Sequence, residues 1–119
     1  KDEWTKDHPF FHGLPIGLMD YGFYREIIPS LCWTGLDVPE EAVAGAIQAA
    51  PAYEAGLMLS VHKLGEGRLV LNSLLIRETL GRSPVAERLL RNMLRAGSPD
   101  MASPPGPSHP ELIRQLGLK

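Results

Sequence analysis

Two apolar stretches separated by a short glycine-containing segment form the clearest pattern along the chain. Gly56–Lys63 and Arg68–Leu75 are rich in leucine, and Leu64–Gly67 between them contains two glycines. Glycines in a short loop supply the positive φ angles of a tight turn, so this pattern predicts a β-hairpin. The second stretch is apolar on both faces through Leu71, which is typical of an interior strand covered on both sides.

An amphipathic helix is predicted after the hairpin. Ser83 is a suitable N-cap, Pro84 suits the first turn, Glu87 favours the positive helix end, and Gly97 is a natural stop. The three- and four-residue spacing of apolar positions predicts a buried stripe, which we expect to pack across the hairpin. The stripe consists of Val85, Ala86, Leu89, Leu90, Met93 and Leu94.

The first third of the chain has a less regular pattern. Asp20–Ile28 is compatible with a short helix ended by Pro29, and Leu31–Thr34 with a short strand. Glu41–Gln48 fits either a helix, because it is rich in alanine, or a buried strand. The local pattern leaves this choice open.

A proline-rich stretch marks a boundary near the C-terminus. Residues 98–110 contain five prolines, which lack the N–H group that helices and ladders need. We therefore expect a single α/β domain over residues 1–97, a linker or tail over 98–110, and a short helical segment over 111–119.

Composition excludes several classes of protein. The length of 119 residues suits one domain, and the single cysteine, Cys32, excludes an internal disulfide framework or a cysteine-cluster zinc site. No apolar run is long enough to cross a bilayer, and the net charge of −2 gives no reason to expect a nucleic-acid partner. The charge is uneven, because residues 1–75 carry −5 and residues 76–119 carry +3.

Histidine spacing gives weak support for a metal site. His8 and His12 are four residues apart, which would place both rings on one face of a helix. Pro9 disfavours a helix there, so we expect ordinary loop histidines. No metal or cofactor site is predicted.

Candidate nucleophiles lack the sequence context of known catalytic sites. Ser60, Ser73 or Ser83 with His62 could contribute to a serine triad, but none lies in a Gly-x-Ser-x-Gly elbow. Cys32 has no neighbouring cation to lower its pKa, so a buried structural thiol is the preferred interpretation. No catalytic residue is predicted.

Seven of the eight aromatic residues lie within the first 33 positions. Such a cluster most often forms a core or a domain interface, and exposed rings can also serve as a platform for carbohydrate. The residues proposed for carbohydrate or interface contact are Trp4, Phe10, Phe11, Tyr21, Tyr24 and Trp33.

Several motifs together resemble a known family. They are His8–Pro15, Leu18–Tyr21, Tyr24–Pro29, Leu64–Leu74 and Pro84–Leu90. Over residues 4–96 they are similar to the C-terminal region of large bacterial family 2 glycoside hydrolases or sugar-binding hydrolases. In those proteins the region resembles the end of a glutamine-amidotransferase-like, flavodoxin-like α/β domain.

The resemblance implies a fold class and a role. We expect an α/β or α+β fragment in which a hairpin and further strands are packed by a C-terminal amphipathic helix, as at the end of a flavodoxin-like three-layer domain. Cys32 lacks the Gly-x-Cys-x-Gly context of a true amidotransferase, so amidotransferase activity does not transfer. The implied role is a non-catalytic accessory domain of a bacterial hydrolase, and the compartment, periplasmic and extracellular space included, stays open.

The expected partners follow from that role. They are the other domains of the parent hydrolase, a second copy of the chain, or carbohydrate. The alternatives are a free-standing homo-oligomeric association module and a small hydrolase with an unrecognised Ser/His site.

Overall fold

Five strands form one antiparallel sheet in the computed structural model of the chain, which describes residues 1–96 and Arg114. Their spatial order is β2-β1-β3-β4-β5. The strands are β1 (Asp2–Thr5), β2 (Gly17–Leu18), β3 (Glu41–Gln48), β4 (Glu54–Leu64) and β5 (Gly67–Asn72). A 3-10 turn (Pro9–Phe11) and three helices, α1 (Tyr21–Tyr24), α2 (Ile76–Thr79) and α3 (Pro84–Ala96), complete the described fold.

The sheet confirms a mixed α/β structure but not its finer assignment. Every strand pair among the described residues is antiparallel, whereas doubly wound flavodoxin-like folds are built mainly on parallel strands. The flavodoxin-like arrangement is therefore not confirmed. The predicted linker over 98–110 and, apart from Arg114, the segment over 111–119 lie outside the described residues.

The predicted hairpin is confirmed with a tighter turn. Leu64 pairs with Gly67, so only Gly65 and Glu66 form the loop, and Gly65 takes a φ of +59°. The return strand ends at Asn72, three residues earlier than expected. The Asn72 side chain bonds to the backbone N–H and C=O of Leu74, which turns the chain away from the strand.

The interior strand of the hairpin is β4, and the prediction that the second strand is interior was wrong. Five consecutive residues of β4, Met58–His62, are buried, and β4 lies between β3 and β5. β5 is the last strand of the described sheet, and its residues are half-buried or exposed. An apolar run indicates burial but does not contain the order of strands, because that order depends on distant segments.

Helix α3 is confirmed, but its packing differs from expectation. The Ser83 Oγ accepts a hydrogen bond from the Ala86 N–H at 3.3 Å, and Ala86 and Leu89 are fully buried. Leu94 is 72% exposed, so the buried stripe is shorter than predicted. The helix packs mainly against the 3-10 turn and α2 rather than across the hairpin.

The remaining differences between the predicted and the observed elements lie in the first half of the described chain. Glu41–Gln48 is a strand, so tertiary pairing decided what local propensity left open. α1 covers only Tyr21–Tyr24 and is capped by the Asp20 carboxylate, which accepts from the Gly22 N–H at 2.7 Å. The strand predicted at Leu31–Thr34 is reduced to a single bridge between Trp33 and Leu57. Within residues 1–96, no helix is long and apolar enough to span a membrane.

Candidate functional site

Three of the aromatic residues proposed as contacts are part of the core. Phe10, Phe11 and Tyr24 are buried and belong to the main hydrophobic cluster. The Tyr24 hydroxyl donates to the backbone carbonyl of Pro15, and burial raises the pKa of Tyr24 to about 12. These rings stabilise the fold and are not accessible to a ligand. Tyr21 is 65% exposed at the start of α1 and does not line the cleft that contains Trp4 and Trp33.

The sheet register brings the two tryptophans to one side of the molecule. Trp4 of β1 pairs with Gly45 of β3, Gly45 pairs with Leu57 of β4, and Leu57 bridges to Trp33. The bridge is closed by two backbone hydrogen bonds of 2.8 and 2.9 Å. Because directly opposed residues of neighbouring strands share a face, this row places both indoles on the same face of the sheet.

Both tryptophans line an open cleft of about 390 Å³, which we call the indole cleft. Its lining includes Trp4, Trp33, Asp37, Val38, Ile47 and Leu57. Val38 is among the most exposed apolar side chains of the described chain. The cleft therefore combines accessible apolar surface with an acidic side chain.

Gly45 makes room for the indole of Trp4. A Cβ at this position would lie 2.6 Å from Cζ2 of Trp4 and 2.5 Å from the carbonyl oxygen of Gly56. No larger residue fits without displacing the indole or the neighbouring backbone. Sequence reasoning missed this role, although a glycine inside a strand is itself a signal of close approach.

One residue of the cleft, Trp33, carries a buried polar atom in its indole ring. Trp33 Nε1 is buried and, within the described part of the chain, has no hydrogen-bond partner. A buried donor in this state costs about 1–3 kcal/mol, and a ligand that shifted the indole enough to place an oxygen against it would remove that cost. The cleft is therefore suited to a ligand with both an apolar face and hydroxyl or carbonyl oxygens.

A second cavity, of about 510 Å³, contains both histidines that share the four-residue spacing. It is lined by Asp7, His8, Pro9, His12, Asn92, Arg95 and Ala96. The Nδ1 atom of His8 accepts from the Phe10 N–H at 3.1 Å, so Nε2 carries the proton and donates to Glu41 Oε2 at 2.9 Å. Both ring nitrogens of His8 are thus used, one to cap the 3-10 turn and one to pair with Glu41. Across the described residues, no group of three metal-ligating side chains occurs.

Of the predicted serine–histidine combinations, the structure brings together only Ser60 and His62. The Ser60 Oγ and His62 Nε2 are 2.9 Å apart on the same face of β4. Ser60 is 0% exposed and His62 is 6% exposed, and burial lowers the pKa of His62. A substrate cannot reach the hydroxyl in this position, so the pair stabilises the sheet interior. Ser73 donates to the carbonyl of Met58, and Ser83 caps α3.

Cys32 is placed beside Gly56 rather than in a nucleophilic setting. A Cβ on Gly56 would lie 2.6 Å from Cβ of Cys32, so the thiol residue packs against the strand. Burial is the main influence on the thiol and raises its pKa, with Glu3 acting in the same direction and Lys1 against it. The thiol therefore stays protonated near neutral pH, which disfavours nucleophilic chemistry.

No family model, curated protein or solved structure gives a significant match to the chain. The positive features for function within residues 1–96 are therefore the indole cleft and β5, the last strand of the described sheet.

Proposed function

We propose that the chain is a non-catalytic accessory α/β domain of a bacterial glycoside hydrolase and that it contacts carbohydrate at the indole cleft. What supports the assignment is the resemblance of the motifs within residues 4–96 to the C-terminal region of such hydrolases. In this proposal the antiparallel strands form the end of a larger, flavodoxin-like domain. The observation that carries the contact role is the pairing of Trp4 and Trp33 in one open cleft beside an unpartnered indole N–H.

The chemistry of sugars fits the groups in this cleft. A sugar ring has apolar C–H faces, which pack on indole rings, and hydroxyl groups, which donate to carboxylates and accept from N–H groups. Trp4 and Trp33 supply the rings and Asp37 adds a carboxylate. Trp33 adds the donor once the bound ligand shifts the indole and uncovers its N–H. A volume of about 390 Å³ accommodates one or two sugar rings.

The surroundings of the nucleophile candidates support a non-catalytic role. Ser60 is inaccessible, and the pKa of Cys32 is raised rather than lowered. We expect the chain to hydrolyse no aryl glycoside. Turnover that is lost on substitution of His8, His12 or His62 would instead support the alternative of a small Ser/His hydrolase.

Tryptophan fluorescence reports directly on the proposed contact, because the only two tryptophans of the chain both line the cleft. We expect a saturable change in emission when oligosaccharides from a panel of linkages and sugars are titrated. Trp33→Phe keeps an aromatic ring but removes the N–H, so it should weaken binding by about 0.5–1.5 kcal/mol, the usual contribution of one hydrogen bond. Trp4→Phe should weaken binding through loss of ring area.

Tyr21→Phe is the matched control, since Tyr21 is an exposed aromatic residue outside the cleft. Its binding curve should overlay that of the unsubstituted chain. The carbohydrate role is wrong if no saccharide changes the emission, or if the Trp33→Phe and Tyr21→Phe variants bind equally well by calorimetry.

A second candidate function, self-association, is favoured by the position of β5. This strand is apolar on both faces and nevertheless lies at the edge of the described sheet. Exposed edges of this kind are templates for pairing with another chain. Sedimentation at several concentrations tests it, since a strict monomer excludes the candidate.

A further inference from the structure

The alternation of hydrogen bonds in the hairpin fixes which backbone groups of β5 point outward. The two-residue turn makes Leu64 and Gly67 a hydrogen-bonded pair, so the next bonded residues of β5 are Leu69 and Leu71. The Ser73 N–H donates to the Met58 carbonyl at 2.8 Å, which continues the same alternation. Val70 therefore directs its N–H and C=O away from β4.

The outer side of β5 is open at Val70. Among the described residues, no backbone group pairs with the Val70 N–H or C=O. The strand also lacks the usual protections of an edge, because it contains no proline, no bulge is found in its pairing with β4, and its one charged residue is Arg68. Three consecutive apolar residues, Leu69, Val70 and Leu71, thus lie on an edge strand with little to prevent pairing.

We propose that β5 pairs with β5 of a second copy of this chain, antiparallel and centred on Val70, which joins two five-stranded sheets into one. The inference rests on the self-association function proposed above and specifies its surface and register. The two Val70 residues would exchange both of their outward hydrogen bonds. A two-fold axis through this pair gives the closed, isologous symmetry that most dimers adopt.

The sequence of β5 is self-complementary in this register. With Val70 opposite Val70, Leu69 lies opposite Leu71 and Arg68 lies opposite Asn72. Apolar residues therefore meet apolar residues, and the arginine meets a neutral amide instead of a second cation. The Arg68 guanidinium retains its own ion pair with Glu40, at 3.1 Å, which limits the charge brought to the interface.

Amide hydrogen exchange on the full chain, combined with sedimentation, tests the register. At low concentration the Val70 amide should exchange faster than those of Leu69 and Leu71. As the sedimenting mass rises from one chain to two, the Val70 amide should become protected, about tenfold when nine chains in ten are paired. The amides of Leu69 and Leu71 should change little, because they already bond within the hairpin.

A matched pair of variants shortens or replaces the Val70 side chain with and without loss of the outward N–H. Val70→Pro lacks that N–H, and proline is tolerated at an edge position whose N–H faces outward. Val70→Ala loses side-chain methyl groups but keeps the N–H. We expect the alanine variant to dimerise and the proline variant to stay monomeric, with a folded spectrum in both.

The outcomes separate this inference from self-association in general. A chain that is monomeric at every concentration overturns both. A chain that dimerises while its Val70 amide stays unprotected, or whose folded Val70→Pro variant still dimerises, overturns the β5 interface and leaves self-association by another surface. The exchange measurement uses the unsubstituted chain, so it decides the matter even if the proline variant fails to fold.

Discussion

At the scale of single residues, burial rather than sequence context decides the chemistry of the polar side chains. Ser60 and His62 form a hydrogen bond of 2.9 Å, the distance expected of a nucleophile and its base, yet neither is accessible. Burial disfavours the charged form of His62 and keeps the imidazole neutral. The pair consequently affects stability rather than catalysis.

The lowered pKa of His62 gives the stability of the fold a pH dependence with a definite sign. In the unfolded chain the imidazole titrates near its ordinary pKa of about 6.5, so below that pH the unfolded state binds a proton that the folded state resists. The free energy of unfolding that depends on a neutral His62 is fully present above pH about 6.5 and is lost progressively as the pH falls below that value. His62 can change the free energy of unfolding by at most about 1.4 kcal/mol per pH unit.

Urea unfolding between pH 7.5 and 5 measures this slope. His62→Gln should flatten it, because glutamine does not titrate. His12→Gln is the control, since His12 is exposed, and its slope should match that of the unsubstituted chain. Equal slopes for the His62→Gln variant and the unsubstituted chain would contradict this role of His62.

At the scale of elements, α3 is attached to the 3-10 turn by one buried amide. Asn92 is 5% exposed, and its Nδ2 donates to the carbonyls of Phe10 at 2.9 Å and His12 at 3.0 Å. The guanidinium of Arg88 also donates to the His12 carbonyl, at 3.1 Å. These bonds connect residues about 80 positions apart, so they orient the helix after the core has brought it close.

Removing the Asn92 amide should therefore cost more than removing an exposed charge on the same helix. Asn92→Ala leaves the buried Phe10 carbonyl without its donor and removes one of the two donors to the His12 carbonyl, which should lower the free energy of unfolding by about 1–3 kcal/mol. Arg91→Ala breaks the exposed pair with Glu87 and should cost about 0.5 kcal/mol or less. Denaturant midpoints compare the two, and similar losses would contradict the anchoring role.

Elements with strong local signals are those that the sequence predicts well. Ser83, Pro84 and the apolar spacing after them define α3, and Gly65 defines the hairpin turn. β1 and β2 were not predicted because both are short, and because β1 is held in the sheet by β3, where Trp4 pairs with Gly45, far along the chain. The anchoring role of Asn92 was not predicted, because a polar residue within an apolar stripe gives no local sign of its distant carbonyl partners.

At the scale of the whole molecule, the sheet register assembles the candidate site. The aromatic cluster includes Trp4 and Trp33, which line the cleft, but its pattern did not distinguish them from Phe10, Phe11 and Tyr24, which are core residues. That distinction depends on the row from Trp4 through Gly45 and Leu57 to Trp33. No local pattern contains this row, because its four members come from four separate segments.

The distribution of the core along the chain also bears on where the domain ends. The main cluster of buried apolar residues runs from Phe10 to Leu89, and α3 supplies its last member. A chain of residues 1–97 therefore retains this cluster together with the Asn92 anchor. We expect it to unfold cooperatively, with a melting temperature within about 4–8 °C of the full chain, the shift that corresponds to roughly 1 kcal/mol in a domain of this size.

A shorter chain ending at Arg82 is the matched control for this truncation. It lacks Leu89, Ala86 and Asn92, so it removes the helix side of the core and leaves the Phe10 and His12 carbonyls without their donor. Because each buried leucine contributes about 2–5 kcal/mol, this chain should lose cooperative unfolding altogether in calorimetry. Loss of cooperativity already at residue 97 would contradict the predicted domain boundary and would show that residues 98–119 contribute to the core.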